Sequence, residues 1–194
     1  TLGGPQNAGA GIKVAILDTG IDQTHPAFQD SSLSMPPGYP LCSGSPDACS
    51  YTNNKVIVAR SYVQQIAAGS DPRNPAADSR PDDYSPRDRM GHGTAVASCV
   101  AGNTNSGAVT FMGMAPKAYL GNYKIYGSDG VNDRPPEDVW IQAIEDVVND
   151  HMDVANFSSG LAAVSGPLDT GSMCSLRNGV PCDPLATAFD NATK

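Results

Sequence analysis

Ile12-Lys13-Val14-Ala15-Ile16-Leu17-Asp18-Thr19-Gly20 is apolar apart from Lys13 until it meets a carboxylate, a hydroxyl and a glycine. Residues Ile12–Leu17 read as a strand buried on both faces, the pattern of a parallel sheet rather than a half-wet antiparallel one. Gly20 supplies a turn residue free of Cβ restriction. A carboxylate at the C-terminal end of such a strand stands where open α/β sheets gather their ligands. Buried there, Asp18 can orient an imidazole and stabilise its protonated form.

The imidazole is supplied by Gly91-His92-Gly93-Thr94-Ala95-Val96-Ala97-Ser98. Glycines on both sides of His92 let backbone approach closely, at a cost in helix propensity. The run Thr94–Ala101 is rich in small residues and suits a closely packed helix. An Asp and then a His, each set beside glycine, match two members of a nucleophilic triad in the order Asp, His, Ser. Ala118–Ile125 and Val154–Ser158 read as further strands. Pro136–Asn149 reads as a helix with an apolar stripe of Val139, Ile141, Ile144, Val147 and Val148. Asp183-Pro184 reads as an N-cap and first helical proline opening a helix over Leu185–Ala192. Strands alternating with helices predict an α/β fold on a parallel sheet.

On these motifs the chain resembles the subtilisin-like serine proteases, the subtilases of the peptidase S8 family. The matching segments, in order, are KVAILDTGID, GHGTAVASCVAGN, GMAPKAYLGNYKIYGSDG and DVANFSSG, spanning about Gly11 to Gly160. Ser85–His92 resembles the branch that often carries a protease-associated insert. Ala95 stands where the family more often has a second His, which is not the catalytic imidazole. The span from Asp18 to His92 exceeds that of compact bacterial members, and Cys42, Cys49 and residues Ser70–Pro86 read as surface loop filling the difference. The resemblance implies a mostly parallel subtilisin-like sheet flanked by helices, present in residues 1–194 as its N-terminal half.

It also implies roles. Asp18 orients His92, and His92 is general base and then general acid. Ser158, Ser159 and Gly160 form an edge that pairs with the backbone of an extended polypeptide substrate, holding it by main-chain hydrogen bonds. The turn Gly127–Asn132, with Gly130, matches the opposite substrate edge, although Arg134-Pro135-Pro136 lengthens the chain there. The nucleophile segment is the part not found. Thr170-Gly171-Ser172-Met173 is a near anagram of it, but loop composition follows and too few residues separate it from Gly160. Ser172 is therefore not expected to be the nucleophile. Asn103 and Asn156 fall in other matched segments and are poor oxyanion-hole donors. The serine and the oxyanion donor are expected beyond Lys194, and the C-terminal remainder of the domain is the expected partner. Alone, the chain is expected to be inactive, because acyl transfer lacks its activated hydroxyl and its preorganised donor.

Composition fits a secreted hydrolase. A 194-residue chain suits one domain, and 40% hydrophobic residues are enough for a core. Net charge −8 argues against a nucleic-acid partner. No apolar run is long enough to span a membrane, and no signal peptide is present, which a mature secreted chain would have lost. No cofactor is required for the chemistry. The resemblance allows a structural calcium, for which the acidic stretch Asp78–Asp88 is the candidate, but nothing there has diagnostic spacing, and a solvated loop is the preferred reading. No metal ligand is assigned.

Of five cysteines, Cys42 with Cys49 and Cys174 with Cys182 bracket short loops and read as two local disulfides. Cys99 reads as a buried structural thiol among small residues. His25, in a loop before proline, reads as structural. Asn156-Phe157-Ser158 and Asn191-Ala192-Thr193 match the glycosylation acceptor pattern, the first lying in the expected substrate edge. Two other classes compete. An aspartic protease needs two paired carboxylates, and only one Asp-Thr-Gly is present. A catalytically dead relative would bind peptides through Ser158–Gly160.

Overall fold

Alternation of Val14 and Ile16 with Ala15 and Leu17 sends apolar side chains to both faces of the first strand, so helices must cover both. The computed structural model describes residues 3–68, 84–106, 109–160, 171, 174 and 181–194. In it β1 spans Lys13–Asp18, one residue later than Ile12–Leu17, with Val14 to Asp18 all buried. The chain continues through β2 (Leu41–Ser43), β3 (Val56–Ser61), α1 (Val63–Ala68) and α2 (His92–Ala101). Then follow β4 (Asn105–Ser106), β5 (Thr110–Phe111), β6 (Tyr119–Lys124), α3 (Glu137–Asn149), β7 (Val154–Phe157) and α4 (Pro184–Ala192).

Five strands form a parallel sheet in the order β2-β3-β6-β1-β7. This is the expected α/β architecture. Strand β1 pairs with both β6 and β7, with Asp18 opposite Lys124 and Leu17 opposite Phe157. The C-terminal ends of three strands therefore meet around Asp18. β4 and β5 form a small separate hairpin.

The two faces carry separate cores. Ala15, Leu17, Ile57, Tyr123 and Ile125 pack with Val139, Trp140, Ala143, Ile144 and Val147 of α3 and Leu185 of α4. On the other face Val14, Ile16, Val56, Leu120, Ile21 and Phe28 pack with Ala97 and Ala101 of α2. Helix α3 begins after Pro136 at its N-cap, and Glu137 and Asp138 complement the positive end of the helix. The Glu137 carboxylate also accepts the Leu185 backbone N–H at 3.1 Å, tying α3 to α4. Asp183 caps α4 as expected, accepting from the Ala186 N–H.

Several expectations are corrected. Cys42 is not surface loop: it lies in β2, where pairing with β3 sets its backbone. Neither β2 nor β3 was anticipated. Trp140 and Ala143 complete the buried stripe of α3, whereas Val148 lies outside it and is 47% exposed. The cause is rotation about the helix: Val139, Ala143 and Val147 repeat at i and i+4 and fix the buried face. Cys99 is exposed and unpaired, not buried. The inward face of α2 is Gly93, Ala97 and Ala101, again at i and i+4, and Cys99 falls to one side of it. The expected disulfides Cys42–Cys49 and Cys174–Cys182 are both present.

A buried polar cluster closes the sheet behind α3. The Arg60 guanidinium donates to both oxygens of Asp150 at 2.7 and 2.6 Å, and the Tyr123 hydroxyl donates to the same carboxylate at 2.7 Å. Tyr62 donates to Asp146 at 2.7 Å, and Tyr39 donates to the Asp150 carbonyl at 2.6 Å. Burial and the facing carboxylates push the Tyr62 and Tyr123 hydroxyls well above the usual tyrosine range.

Candidate active site

The end of β1 and the start of α2 bring Asp18 and His92 together across 74 residues of sequence. Asp18 is 2% exposed at the last position of its strand. Its Oδ1 lies 2.7 Å from His92 Nδ1 and accepts the Thr19 backbone N–H at 2.7 Å. Facing a carboxylate oxygen, Nδ1 is the ring nitrogen placed to donate, and in the neutral ring Nε2 is then the acceptor. The His92 side chain is 56% exposed. A buried anion therefore holds a ring whose free nitrogen can reach solvent or a reactant, the arrangement a general base requires.

Local sequence explains the closeness. Gly91, the N-cap of α2, has φ 85°, a left-handed conformation that glycine adopts without the Cβ penalty. Gly93 is buried, and a Cβ on it would lie 2.2 Å from the Gly20 carbonyl oxygen and 3.1 Å from Asp18 Cβ. Only glycine there allows the helix to sit directly on the Asp18 turn. The Gly93 N–H donates to Thr19 Oγ1 at 2.9 Å, a second bond between the two motifs.

Asp88, which the sequence offers as the end of an acidic stretch and as part of the segment leading to His92, is a further site residue. Its Oδ1 accepts from Thr19 Oγ1 at 2.9 Å and from the Met90 and Gly91 N–H groups at 2.9 and 2.8 Å. Its Oδ2 accepts from the Thr94 N–H at 2.9 Å and the Thr94 hydroxyl at 2.5 Å. Burial opposes the charge on Asp88, but the bonds from Thr94, Gly91 and Met90 outweigh it and hold the carboxyl below the usual range. Both oxygens are thus engaged by the protein itself, which leaves little of Asp88 for a calcium ion. The rest of the acidic stretch, Asp78 to Asp83, lies outside the described residues. The legible signal for Asp88 was its place four residues before His92, within reach of free N–H groups at a helix start.

Lys124 was missed as a site residue. Its fully buried ammonium donates to the Thr19 carbonyl at 3.0 Å and the Arg87 carbonyl at 2.7 Å, so it too fastens the Asp18 turn to the segment before His92.

Among the sequence-derived substrate residues, Ser158, Ser159 and Gly160 follow directly on β7 and are exposed. The Ser158 hydroxyl donates to Asn156 Oδ1 at 2.7 Å. The Ser159 hydroxyl bonds to that of Tyr126, which follows β6. Gly130 is exposed with φ 72° in a turn closed by a bridge between Ser128 and Val131. Beneath this rim Tyr126, Trp140, Phe157 and Phe189 form a chain of ring contacts. Ser172 lies outside the described residues. Asn103 sits elsewhere, donating to the Gln29 carbonyl at 2.8 Å. Among the described residues no group of three His, Cys, Asp or Glu is arranged to hold a metal.

Residues 9–181 match the family model described as the subtilase family. The chain is 32% identical over 202 residues to the subtilisin-like protease SBT2.1 of Arabidopsis thaliana, covering 92% of this chain and 23% of that protein. It is 32% identical over 201 residues to SBT2.2 of the same plant, covering 92% of this chain and 22% of the relative. It thus spans less than a quarter of the length of these relatives. The solved structure of the Clostridium perfringens CspB protease superposes with a TM-score of 0.50 over 96% of this chain and 34% of that one, at 20% identity, a likeness of fold. The protein belongs to the subtilase family.

Proposed function

We propose that this chain is the N-terminal portion of the catalytic domain of a secreted serine endopeptidase, which hydrolyses peptide bonds through an Asp-His-Ser triad. The observation that carries the reading is the 2.7 Å bond between buried Asp18 and solvent-reaching His92 in a chain of this family. Asp18 fixes the imidazole with its proton on Nδ1 and balances the charge that forms on the ring. His92 Nε2 takes the proton of the attacking hydroxyl and returns it to the leaving amine. The serine and the oxyanion donors belong to the C-terminal remainder of the domain, so the 194-residue chain by itself is inactive. An extended substrate runs between the rim at Ser158–Gly160 and the turn at Gly130. The reaction needs no organic cofactor. Among the described residues no helix is long and apolar enough to cross a membrane.

A fluorophosphonate probe read by intact mass tests this. The isolated chain should remain unlabelled. A longer form carrying a Gly-Thr-Ser-Met-type segment should take one label and cleave an unfolded protein substrate, and Asp18→Ala or His92→Ala should abolish cleavage. Labelling of the isolated chain would move Ser172 to the front. A longer form whose natural sequence lacks that serine, and which binds extended peptides without cleaving them, would favour the binding-module reading.

A further inference from the structure

The Asp18–His92 bond joins the last residue of β1 to the first residue of α2, and something must hold the two in register. The direct bond is one contact between a strand end and a helix start, with the imidazole more than half exposed. A ring so placed has room to rotate about its side-chain torsions. Its reach to Asp18 is set by the backbone that carries it.

One carboxylate gathers most of the bonds that hold that backbone. Asp88 receives five hydrogen bonds, three on one oxygen and two on the other. Three of the donors are backbone N–H groups of Met90, Gly91 and Thr94, which bracket His92 on both sides. The bond from the Thr19 hydroxyl comes from the residue after Asp18. The same hydroxyl accepts from the Gly93 N–H. The Thr94 hydroxyl, while donating to Asp88, accepts from the Asp22 N–H at 3.0 Å, a second return to the Asp18 turn. Two side chains, Thr19 and Thr94, thus link both motifs through a single carboxylate. Charge-assisted bonds of this kind are the shorter and stronger class.

We propose that Asp88 is the positioning residue of the Asp18–His92 pair: its carboxylate clamps the start of α2 to the Asp18 turn and thereby sets the hydrogen bond between them. Calling this positioning catalytic rests on the protease reading above. The clamp itself does not, because it acts within this chain.

Asparagine tests the point because it keeps the shape and reverses half of the chemistry. Whichever way its amide is turned, an NH2 group faces donors: the Thr94 N–H on one side, or the Met90 and Gly91 N–H groups on the other. The readout is the far-downfield proton resonance of His92 Nδ1–H in the intact chain, identified by its loss in Asp18→Ala. His25 does not interfere, since its Nδ1 accepts the Ala27 N–H. In a folded Asp88→Asn chain, shown by unchanged amide dispersion of the β-sheet, the resonance should be lost through solvent exchange. If Asp88→Asn does not fold, Thr19→Val is read instead. It is nearly isosteric and cuts the link from Thr19 to Asp88 and Gly93, and it should likewise lose the resonance.

A merely structural carboxylate would lower the melting point and leave the resonance of the folded fraction in place. A folded variant that keeps the resonance, with solvent exchange within about twofold of the parent, overturns the proposal. A parent chain without the resonance overturns both the proposal and the pair it serves. A longer form that fails to take the fluorophosphonate while this chain behaves as expected removes the protease reading alone.

Discussion

Replacing Gly93 with alanine should separate the two halves of the candidate site, and the structure gives the size of the effect. The added Cβ would stand 2.2 Å from the Gly20 carbonyl oxygen, where real contacts are not shorter than 3.0 Å, so helix or turn must yield by at least about 0.8 Å. The obstacle is backbone on a turn already held by Thr19, Asp88 and Lys124, and it has no rotamer to move to. Alanine gains about 1 kcal/mol over glycine inside a helix, less in the first turn. Overpacking against rigid neighbours costs about 1–3 kcal/mol or more, and the Gly93 bond to Thr19 is strained as well. The net expectation is a loss of about 1–2 kcal/mol, seen in urea as a midpoint lowered by about 0.5–1 M.

The displacement separates the residue after His92 from the turn that follows Asp18, so the Nδ1–H resonance of His92 should weaken or vanish. In an active longer form, a misplacement of about 1 Å lowers turnover on the order of 100-fold. Gly91→Ala is the internal comparison. Nothing lies within 4 Å of its Cβ, but its φ is +85°. It should cost about 1–2 kcal/mol of backbone strain without pushing the helix away from the turn. If Gly93→Ala matches the parent in urea midpoint and in the His92 resonance, the argument that glycine is required by close approach is wrong.

Other outcomes follow from burial and charge. Lys55 is fully buried, and burial lowers its ammonium to about 8, only partly opposed by the charge of Asp30. The folded form therefore releases this proton before the unfolded chain does, and stability should rise between about pH 8 and pH 10. Above about pH 10 the trend should reverse, because Tyr62 and Tyr123 are held protonated only in the folded state. Urea titrations at pH 7, 9 and 11 would show this maximum, and a monotonic fall from pH 7 would refute it. Arg60→Met should destabilise by about 3–5 kcal/mol by leaving the Asp150 carboxylate buried without its bidentate partner, and a loss below about 1 kcal/mol in the same titration would count against it. Cys99 should react with a maleimide in the native protein at one label per chain, and a requirement for denaturant would contradict its exposure.

The parts of the fold that were legible in the sequence are those in which local pattern and tertiary role coincide. Strand β1 is apolar because it is central and covered on both faces, and α3 has a helical stripe because it lies on the sheet. β2 and β3 escaped notice for the opposite reason. Leu41–Ser43 is too short to show a period, and the apolar run at Val56–Ala59 stands beside a loop whose cysteines and prolines dominate the reading. Cys99 was misplaced because small neighbours suggest burial, while the buried side of α2 depends on which residues meet β1 and its turn.

The candidate site divides in the same way. The identities of Asp18 and His92, their order, and their glycines are sequence facts, because backbone near a reacting group must adopt conformations or approaches that few residue types permit. That Asp18 is at a strand end and His92 at a helix start follows from the same few residues. Tertiary structure alone decided what holds them together. Asp88 and Lys124 lie among ordinary charged residues in the sequence. Their role arises because folding turns backbone N–H groups and carbonyls of distant segments toward one carboxylate and one ammonium. A buried charge must be satisfied by whatever surrounds it, and those surroundings exist only once the sheet has brought residues 18, 88, 92 and 124 to one edge.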